Sequence, residues 1–385
     1  MRKNKKKDLS FGNLEQLEKR FAMTADLVNA LHSEYYEDQN ISFDEMQSLI
    51  ESTKDHGRMY RPEFNALHKI VNQSQMPDHV RYLAKAAIKG SQANRYFQGK
   101  FPLGNLRPGS SASQVQTMVD KWFGGKDLPK HGKWYATYKE VEGNLFVNGI
   151  SHHDVRQGRV GNCWQIAGLR GVAESNPQVI NNMFLEVGED LWVVRWYHPR
   201  YKDAHYVTVN NELPVVKKGW RINESVFATF GHDRNHNDNP NNELWGALAE
   251  KSYAQVSQTT GFRRTNDNSY QNLRAGNMSE LYVSISKVNA RRIRILHRRV
   301  DNGWLVRQVN RWDNAVSLVI KGHAYTITHY NHSTGKFRLD NPYGRRHLDL
   351  TLHEIKARTG GYLRIFRKGI VTASMSNHPL QTGIA

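Results

Sequence analysis

The sequence predicts an α+β protein: a core with a mainly helical half and an antiparallel β half, preceded by a mainly helical N-terminal region. Two observations predict this class. Apolar residues recur at helical intervals up to residue 75, and again at 163–175 and 241–256. Short segments rich in β-branched and aromatic residues dominate from 281 to 366. The 385 residues suffice for two or three domains.

Residues 1–115 form the predicted N-terminal accessory or pro-region. Its first predicted helix carries apolar residues at helical spacing: Leu14, Leu17, Phe21, Leu27 and Leu31. Two more helices are predicted at 43–55 and 62–75, where Pro62 suits a helix start. The Gly-, Pro- and Ser-rich stretch 101–114 reads as a linker.

A degenerate pair of calcium-binding helix–loop–helix units is the alternative for this region, because Glu45 and Glu63 each stand where such a loop ends. However, Tyr36 and Gln39 occupy positions that need a carboxylate and a glycine. A plain prodomain or accessory region is therefore the preferred prediction.

The core divides into a helical subdomain, residues 116–262, and a β-rich subdomain, residues 263–370, followed by a tail, residues 371–385. The first should contain helices at 163–175 and 241–256 around strands between 191 and 216. The second should consist of strands, and the predicted ones lie at 281–286, 292–296, 304–309, 315–320, 324–330, 336–341 and 362–367.

The formal net charge of +18 is a strong feature of the composition. Basic residues cluster at the N-terminus and at 290–312, which indicates either an anionic partner at a basic surface or a solvated surface that keeps the protein soluble. No recognisable nucleic-acid motif accompanies them, and specific nucleic-acid binding is not predicted. No membrane span or signal peptide is visible, which predicts a cytoplasmic protein. The single cysteine excludes an internal disulfide framework.

That cysteine, Cys163, begins the predicted helix "CWQIAGLRGVAES" after the turn "GRVGN". With Asn162 as N-cap, the sulfur would lie at the positive end of the helix dipole, which favours the nucleophilic thiolate. Gln157 in the preceding loop is placed to donate its amide N–H to an oxyanion. The alternative for a lone cysteine is an inert buried side chain.

A nucleophilic thiol needs a base and a group that orients the base. His323 follows Gly322 within a strand-like segment, and Asn341 stands at the end of the next one. Adjacent antiparallel strands would bring these two side chains together. The asparagine carbonyl would then hold the imidazole by one ring N–H.

The segments "QGRVGNCW", "KGHAY" and "DNPYG", in that order, resemble the catalytic core of calpain-type cysteine proteases of the papain-like superfamily. "YVTVNNELPVV" and "NELWGALAEKSYAQV", which lie between them, are also similar to segments of that family. The resemblance implies a papain-like two-subdomain protease core that hydrolyses peptide bonds of protein substrates through a thioester acyl-enzyme. It covers roughly residues 140–365.

Position by position, the resemblance implies Cys163 as nucleophile, His323 as general base and acid, Asn341 as orienting residue and Gln157 as oxyanion donor. The neighbours Trp164, Gly322 and Tyr343 are then expected to contact substrate.

The resemblance also implies possible calcium binding, with Asp154 and Glu243 as candidate ligands, although the chemistry itself requires no cofactor. Two alternatives stay open. One is a catalytically inactive binding or scaffold module with the same fold. The other is a basic nucleic-acid-associated protein.

Overall fold

A computed structural model describes residues 40–132, 136–231, 236–311 and 313–367. The predicted first helix, the basic N-terminal run, Tyr36, Gln39 and the tail 371–385 lie outside the described residues. Helices and antiparallel sheets occur together in the core, which confirms the predicted α+β class. Among the described helices, none is long and apolar enough to cross a membrane.

The N-terminal region is helical, as predicted. Its helices are α1 Phe43–Ser52, α2 Arg61–Gln73, α3 Asp78–Ala84, which continues into a π-helical turn Lys85–Lys89, and α4 Ala112–Trp122. A 3₁₀ turn Gln92–Arg95 and the two short strands β1 Tyr96–Phe97 and β2 Phe101–Pro102 connect α3 to α4.

Helix caps explain the two glutamates that suggested calcium loops. The Glu45 carboxylate accepts the backbone N–H of Ser42 at 2.7 Å, and the Glu63 carboxylate accepts that of Tyr60 at 2.6 Å. Each carboxylate therefore satisfies a free backbone donor at a helix start, which is the role of the third residue in a capping box.

The stretch predicted as a linker is packed against the N-terminal helices. Leu106 is only 4% exposed, and Met59 exchanges two backbone hydrogen bonds of 2.8 Å with Gly109 and Ser110. The boundary drawn at residue 115 falls inside α4, whose apolar side chains belong to the N-terminal hydrophobic cluster. The linker prediction rested on the Gly, Pro and Ser content, which carries no information about these long-range contacts.

The helical half contains strands β3 Ala136–Glu140, β4 Phe184–Gly188, β5 Leu191–Tyr197, β6 Ala204–Asn210 and β7 Glu212–Val216. Its helices are α5 Cys163–Ser175, α6 Pro177–Asn181, α7 Trp245–Val256, a 3₁₀ turn Tyr270–Leu273 and α8 Met278–Ser286. Strands β4, β5 and β6 form one antiparallel sheet, and β3 pairs with β7. The N-terminal cluster packs on Val193 and Tyr206 of β5 and β6.

The β half is a six-stranded antiparallel sheet in the order β12-β11-β10-β9-β13-β8. Its strands are β8 Arg291–Arg294, β9 Asn314–Ile320, β10 His323–Asn331, β11 Lys336–Asp340, β12 Leu348–Leu350 and β13 Tyr362–Arg367. Helices α9 Asn302–Val309 and α10 Leu352–Arg358 accompany the sheet.

Two of the predicted strands, 281–286 and 304–309, are helices. The Asn277 side chain accepts the Ser279 N–H at the start of α8, and the Asp301 side chain accepts the Trp304 N–H at the start of α9. These caps and the packing of α8 on α5 override the β propensity of short apolar runs. Because α8 and Tyr270 share the hydrophobic cluster of α5, the helical half extends past the boundary drawn at residue 262.

Helix α5 lies between α8 and the six-stranded sheet, and two glycines permit this close approach. A Cβ on Gly168 would lie 2.4 Å from Leu281, and one on Gly171 would lie 3.0 Å from Thr326 of β10. The Thr326 hydroxyl donates to the Ala167 carbonyl at 2.5 Å. This packing fixes the N-terminus of α5 against the strands of the β half.

Candidate active site

The loop before Cys163 turns tightly against the segment around Phe227. A Cβ on Gly158 would lie 1.9 Å from the Phe227 carbonyl oxygen, so only glycine fits there. Helix α5 then begins at Cys163, as predicted. The sulfur therefore lies at the helix N-terminus, where backbone N–H groups and the dipole favour a negative charge.

Asn162 stands at the predicted N-cap position, but its side chain does not cap the helix. Instead, its Nδ2 donates to Glu250 at 2.6 Å and to Gln165 at 3.1 Å. The correction has a tertiary cause, because Glu250 comes from α7 and is itself only 1% exposed. A local pattern could not show this acceptor.

His323 is the first residue of β10 and follows a two-residue hairpin turn. Lys321 and Gly322 have φ angles of 47° and 80°, which is the left-handed geometry that tight hairpins need at both central positions. Ile320 and His323 pair across this turn. The imidazole is thereby fixed at the end of the sheet that faces the N-terminus of α5.

Asn341 follows the last residue of β11, which pairs antiparallel with β10. Its Oδ1 lies 3.0 Å from His323 Nε2 and also accepts the Tyr343 N–H at 3.0 Å. Asn341 Nδ2 donates to the Arg346 carbonyl at 3.3 Å. With Nε2 held by Asn341, Nδ1 is the ring nitrogen that faces the thiol of Cys163.

The electrostatics of this pair favour a thiolate beside an imidazolium. Burial, the largest influence, opposes ionisation of Cys163, but the hydrogen bond with His323 and the N–H groups of Ala324 and Trp164 outweigh it and lower the thiol pKa. The hydrogen bond with Cys163 raises the pKa of His323, burial opposes the rise, and Asn341 adds to it. Opposite shifts of this kind are typical of an activated nucleophile.

Gln157 lies in the same loop and is 7% exposed. Its Nε2 donates to the Val160 carbonyl at 2.8 Å, and its backbone N–H donates to Pro342 at 2.8 Å. The loop itself thus engages one of the two amide hydrogens of Gln157. The backbone contact joins the cysteine loop to the turn after Asn341.

The three residues predicted to contact substrate are placed differently from one another. Tyr343 is 44% exposed and stacks on His323, with ring centroids 5.4 Å apart and planes 9° apart. Gly322 is exposed in the hairpin turn. Trp164, in contrast, is 3% exposed and donates to the Leu273 carbonyl at 2.9 Å, so its side chain belongs to the core. The helical period turns it away from the surface that Cys163 faces.

The candidate calcium ligands Asp154 and Glu243 lie together under the cysteine loop. Asp154 accepts from Ser151 N–H at 2.6 Å and Trp245 Nε1 at 3.2 Å, and Glu243 accepts from Val147 N–H at 3.1 Å. Burial, followed by the Asp154 charge, raises the pKa of Glu243 to about 7, and burial also raises that of Asp154.

Two adjacent carboxyl groups that form no ion pair within the described residues fit a hard cation, which prefers about six to eight oxygen ligands. Only part of such a set is present as acidic side chains, since the described residues contain no group of three His, Cys, Asp or Glu side chains suited to a metal ion. Backbone carbonyls or water would have to supply the remaining oxygens.

Sequence reasoning missed a buried ion pair behind the site. Arg170 of α5 contacts Asp340 of β11 at 2.5 and 2.7 Å and donates to the Val155 carbonyl at 2.6 Å. His347 Nδ1 lies 2.6 Å from the same aspartate. Because Asp340 immediately precedes Asn341, this pair fixes the position of Asn341 relative to the cysteine helix. An arginine among the otherwise apolar residues 166–173 of the helix was the available signal.

Comparison with known proteins agrees with this geometry. A family model described as the calpain family cysteine protease matches residues 113–349, more than half of the chain. Calpain-5 of Mus musculus is 26% identical over 256 residues, covering 52% of this chain and 36% of that protein. Calpain-14 of Homo sapiens is 26% identical over 215 residues, covering 50% and 28%.

Calpain-13 of Rattus norvegicus is 24% identical over 240 residues, which cover 56% of this chain and 32% of that protein. The chain thus spans about a third of the length of these curated relatives. The helical half with its cysteine helix and the antiparallel half with its histidine hairpin form the expected papain-like core. This chain belongs to the calpain family of cysteine proteases.

Proposed function

We propose that this chain is an active cysteine endopeptidase that cleaves protein substrates through Cys163, His323 and Asn341. The observation that carries the proposal is the continuous contact from the thiol through the imidazole to the asparagine, with His323 Nε2 3.0 Å from Asn341 Oδ1. The opposite pKa shifts of Cys163 and His323 support the same assignment.

In the proposed reaction, the Cys163 thiolate attacks the scissile carbonyl carbon. The π electrons of the carbonyl bond move onto the carbonyl oxygen. The N–H of Cys163 and the remaining amide hydrogen of Gln157 stabilise that oxyanion, and one such donor contributes about 2.7–4 kcal/mol. His323 gives its proton to the leaving amine, which leaves a thioester. A water molecule then attacks the thioester while His323 takes a proton from that water. The acid product leaves, and free Cys163 is regenerated.

Proteolysis is tested by cleavage of an unstructured protein such as casein. We expect cleavage by the wild type and none by Cys163→Ala, since the variant lacks the nucleophile. Circular dichroism and the thermal midpoint of Cys163→Ala establish that it is folded. Equal cleavage by both proteins would refute the proposal.

The single cysteine allows a second test that does not depend on turnover. Alkylation with iodoacetamide, followed by intact mass, reports the ionisation of Cys163 alone, because the thiolate is the reacting species. In the wild type, we expect rapid alkylation at pH values below the usual thiol pKa. In His323→Ala, the rise of the alkylation rate should move to higher pH. An unchanged pH dependence in His323→Ala would mean that the imidazole does not activate the thiol.

We further propose that Asp154 and Glu243 together hold a calcium ion that stabilises the cysteine loop. The ion would stabilise the fold and take no part in the reaction, because it would neutralise two adjacent buried carboxylates. Thermal unfolding with calcium and with excess chelator tests this, since a ligand of the folded state alone raises the midpoint. We expect the calcium shift to vanish in Glu243→Gln and to persist in the exposed control Glu189→Gln; a shift retained in Glu243→Gln refutes the site.

A further inference from the structure

The four segments that meet at Cys163 have an unusual charge. Residues 156–164, 273–277, 320–325 and 341–347 contain six basic residues and no acidic one. Three contacts hold these segments together: Gln157 N–H to the Pro342 carbonyl at 2.8 Å, Ala275 N–H to the Gly161 carbonyl at 3.1 Å, and His323 to Asn341 at 3.0 Å. Each loop that supplies a catalytic residue therefore also supplies a cation.

Five of these side chains, which we call the basic rim, are exposed to solvent: Arg159, Arg274, Lys321, Arg345 and Arg346. Within the described residues, none of them uses its side chain in a hydrogen bond or an ion pair. Charges that serve the fold are usually paired or hydrogen-bonded. The rim charges are free to meet an external anion.

The nearby carboxyl groups do not compensate the basic rim, because each is already engaged. Asp340 pairs with Arg170 and is buried. Glu280 lies 3.6 Å from Arg263. Glu250 is buried and hydrogen-bonded to Asn162. A substrate that lies across Cys163 is consequently exposed to an uncompensated positive field.

We propose that the basic rim selects polypeptide segments rich in Asp and Glu on either side of the cleaved bond. This inference rests on the proposed function and adds the substrate class. Exposed carboxylate–arginine pairs are individually weak but accumulate, and a field of one sign accelerates encounter with the opposite charge. An acidic polypeptide fits better than nucleic acid, because the rim surrounds a nucleophile suited to acyl transfer.

The rim is tested without turnover by peptide binding to Cys163→Ala. Two fluorescent peptides differ only in carrying Glu or Gln around a common central sequence, and anisotropy gives their dissociation constants. With several weak pairs acting together, we expect about tenfold tighter binding of the Glu peptide at low salt. Because exposed charges are screened, most of this preference should disappear in about 1 M salt, where the Debye length is about 3 Å.

Charge removal identifies the side chains involved. In the Cys163→Ala background, Arg159→Ala with Arg345→Ala should reduce the preference to about twofold or less, because two of the weak pairs are lost. Arg307→Ala is the matched control, since this exposed arginine lies on α9 outside the four segments. Equal affinity for the two peptides, or an equal effect of the control, would overturn the inference.

A single-stranded DNA oligomer of the same charge distinguishes the class of polyanion. Binding of the oligomer tighter than that of the Glu peptide, with both reduced by the rim variants, would overturn the assignment to acidic polypeptides. The wild type is then compared for kcat/KM on the two peptides. Cleavage without charge preference refutes this inference alone. Absence of cleavage refutes the proposed function, and the inference about the basic rim then depends on the binding measurements.

Discussion

Two buried carboxyl groups support the two sides of the candidate active site by different means. On the cysteine side, Glu250 accepts hydrogen bonds from Asn162, which precedes Cys163, and from the Ala228 N–H at 2.8 Å. On the other side, Asp340 precedes Asn341 and pairs with Arg170. Both carboxyl groups are 3% exposed or less.

The difference lies in what neutralises the buried charge. Arg170 supplies a permanent cation to Asp340. Glu250 has only amide donors, and burial raises its pKa to about 7. The permanent charge of Arg170 therefore balances Asp340 at every pH, even though the adjacent His347, whose pKa is lowered by burial, can titrate. Glu250 has no permanent cation beside it, so this side should respond to pH.

The largest expected effect comes from Arg170→Met, which removes the permanent cation from the buried Asp340 and leaves only His347 beside it. Removing one partner of a buried pair costs about 3–5 kcal/mol of unfolding free energy. Because Asp340 adjoins Asn341, we also expect the kcat/KM of the folded enzyme to fall about a hundredfold through misplacement of the imidazole. Urea unfolding and active-site titration measure the two effects.

Lys121→Met is the matched control for this prediction. Lys121 and Asp127 form another buried ion pair, at the junction between α4 and the core. Its loss should reduce stability by a similar amount without changing the kcat/KM of the folded fraction. If both variants lower kcat/KM equally, the pair at Asp340 has no special link to the active site.

An intermediate effect is expected from Glu250→Gln on the pH dependence of stability. Glu250 binds its proton more tightly when folded, because burial raises its pKa from 4.5 to about 7. Its contribution is full below about pH 4.5 and is lost as pH rises to about 7. At about 1.4 kcal/mol per pKa unit, the loss is on the order of 3 kcal/mol.

Urea unfolding at pH 5 and pH 8 checks this prediction by difference. Glu243 adds a slope of the same sign because burial also raises its pKa to about 7. His79 and Lys251 add slopes of the opposite sign, because burial lowers their pKa values to about 4 and about 7. The prediction is therefore the difference between the two proteins: from pH 5 to pH 8, the change in unfolding free energy should be less unfavourable in Glu250→Gln than in the wild type. Identical pH dependence in the two proteins would contradict the assignment to Glu250.

The smallest effect is expected from Tyr343→Ala, which removes the ring stacked on His323. Such a stack contributes about 0.5–1.5 kcal/mol, so kcat/KM should fall about two- to tenfold. The hydrogen bond from Asn341 helps to raise the His323 pKa. Without the ring of Tyr343, water competes for this hydrogen bond, and the His323 pKa should fall. The alkaline limb of the kcat/KM profile should move to lower pH, and Tyr343→Phe should leave it unchanged.

Much of the candidate active site was predictable because its signals are local. The helix at 163–175 follows from its apolar pattern after a glycine-rich turn, and in the structure it begins and ends at the same residues. The contact between His323 and Asn341 follows from two adjacent antiparallel strands. The helices α8 and α9 were not predictable in this way, because short apolar runs suit either structure until a cap and a packing partner decide.

The sequence by itself determined the identity and order of Cys163, His323 and Asn341, and the family to which the chain belongs. Tertiary structure decided what surrounds them. In the folded chain, the Trp164 side chain is buried, and the Asn162 side chain donates to Glu250 instead of capping the helix. Arg170 forms an ion pair with Asp340. A motif records which groups can react, but burial and charge pairing depend on residues far apart in the chain, which only the folded packing brings into contact.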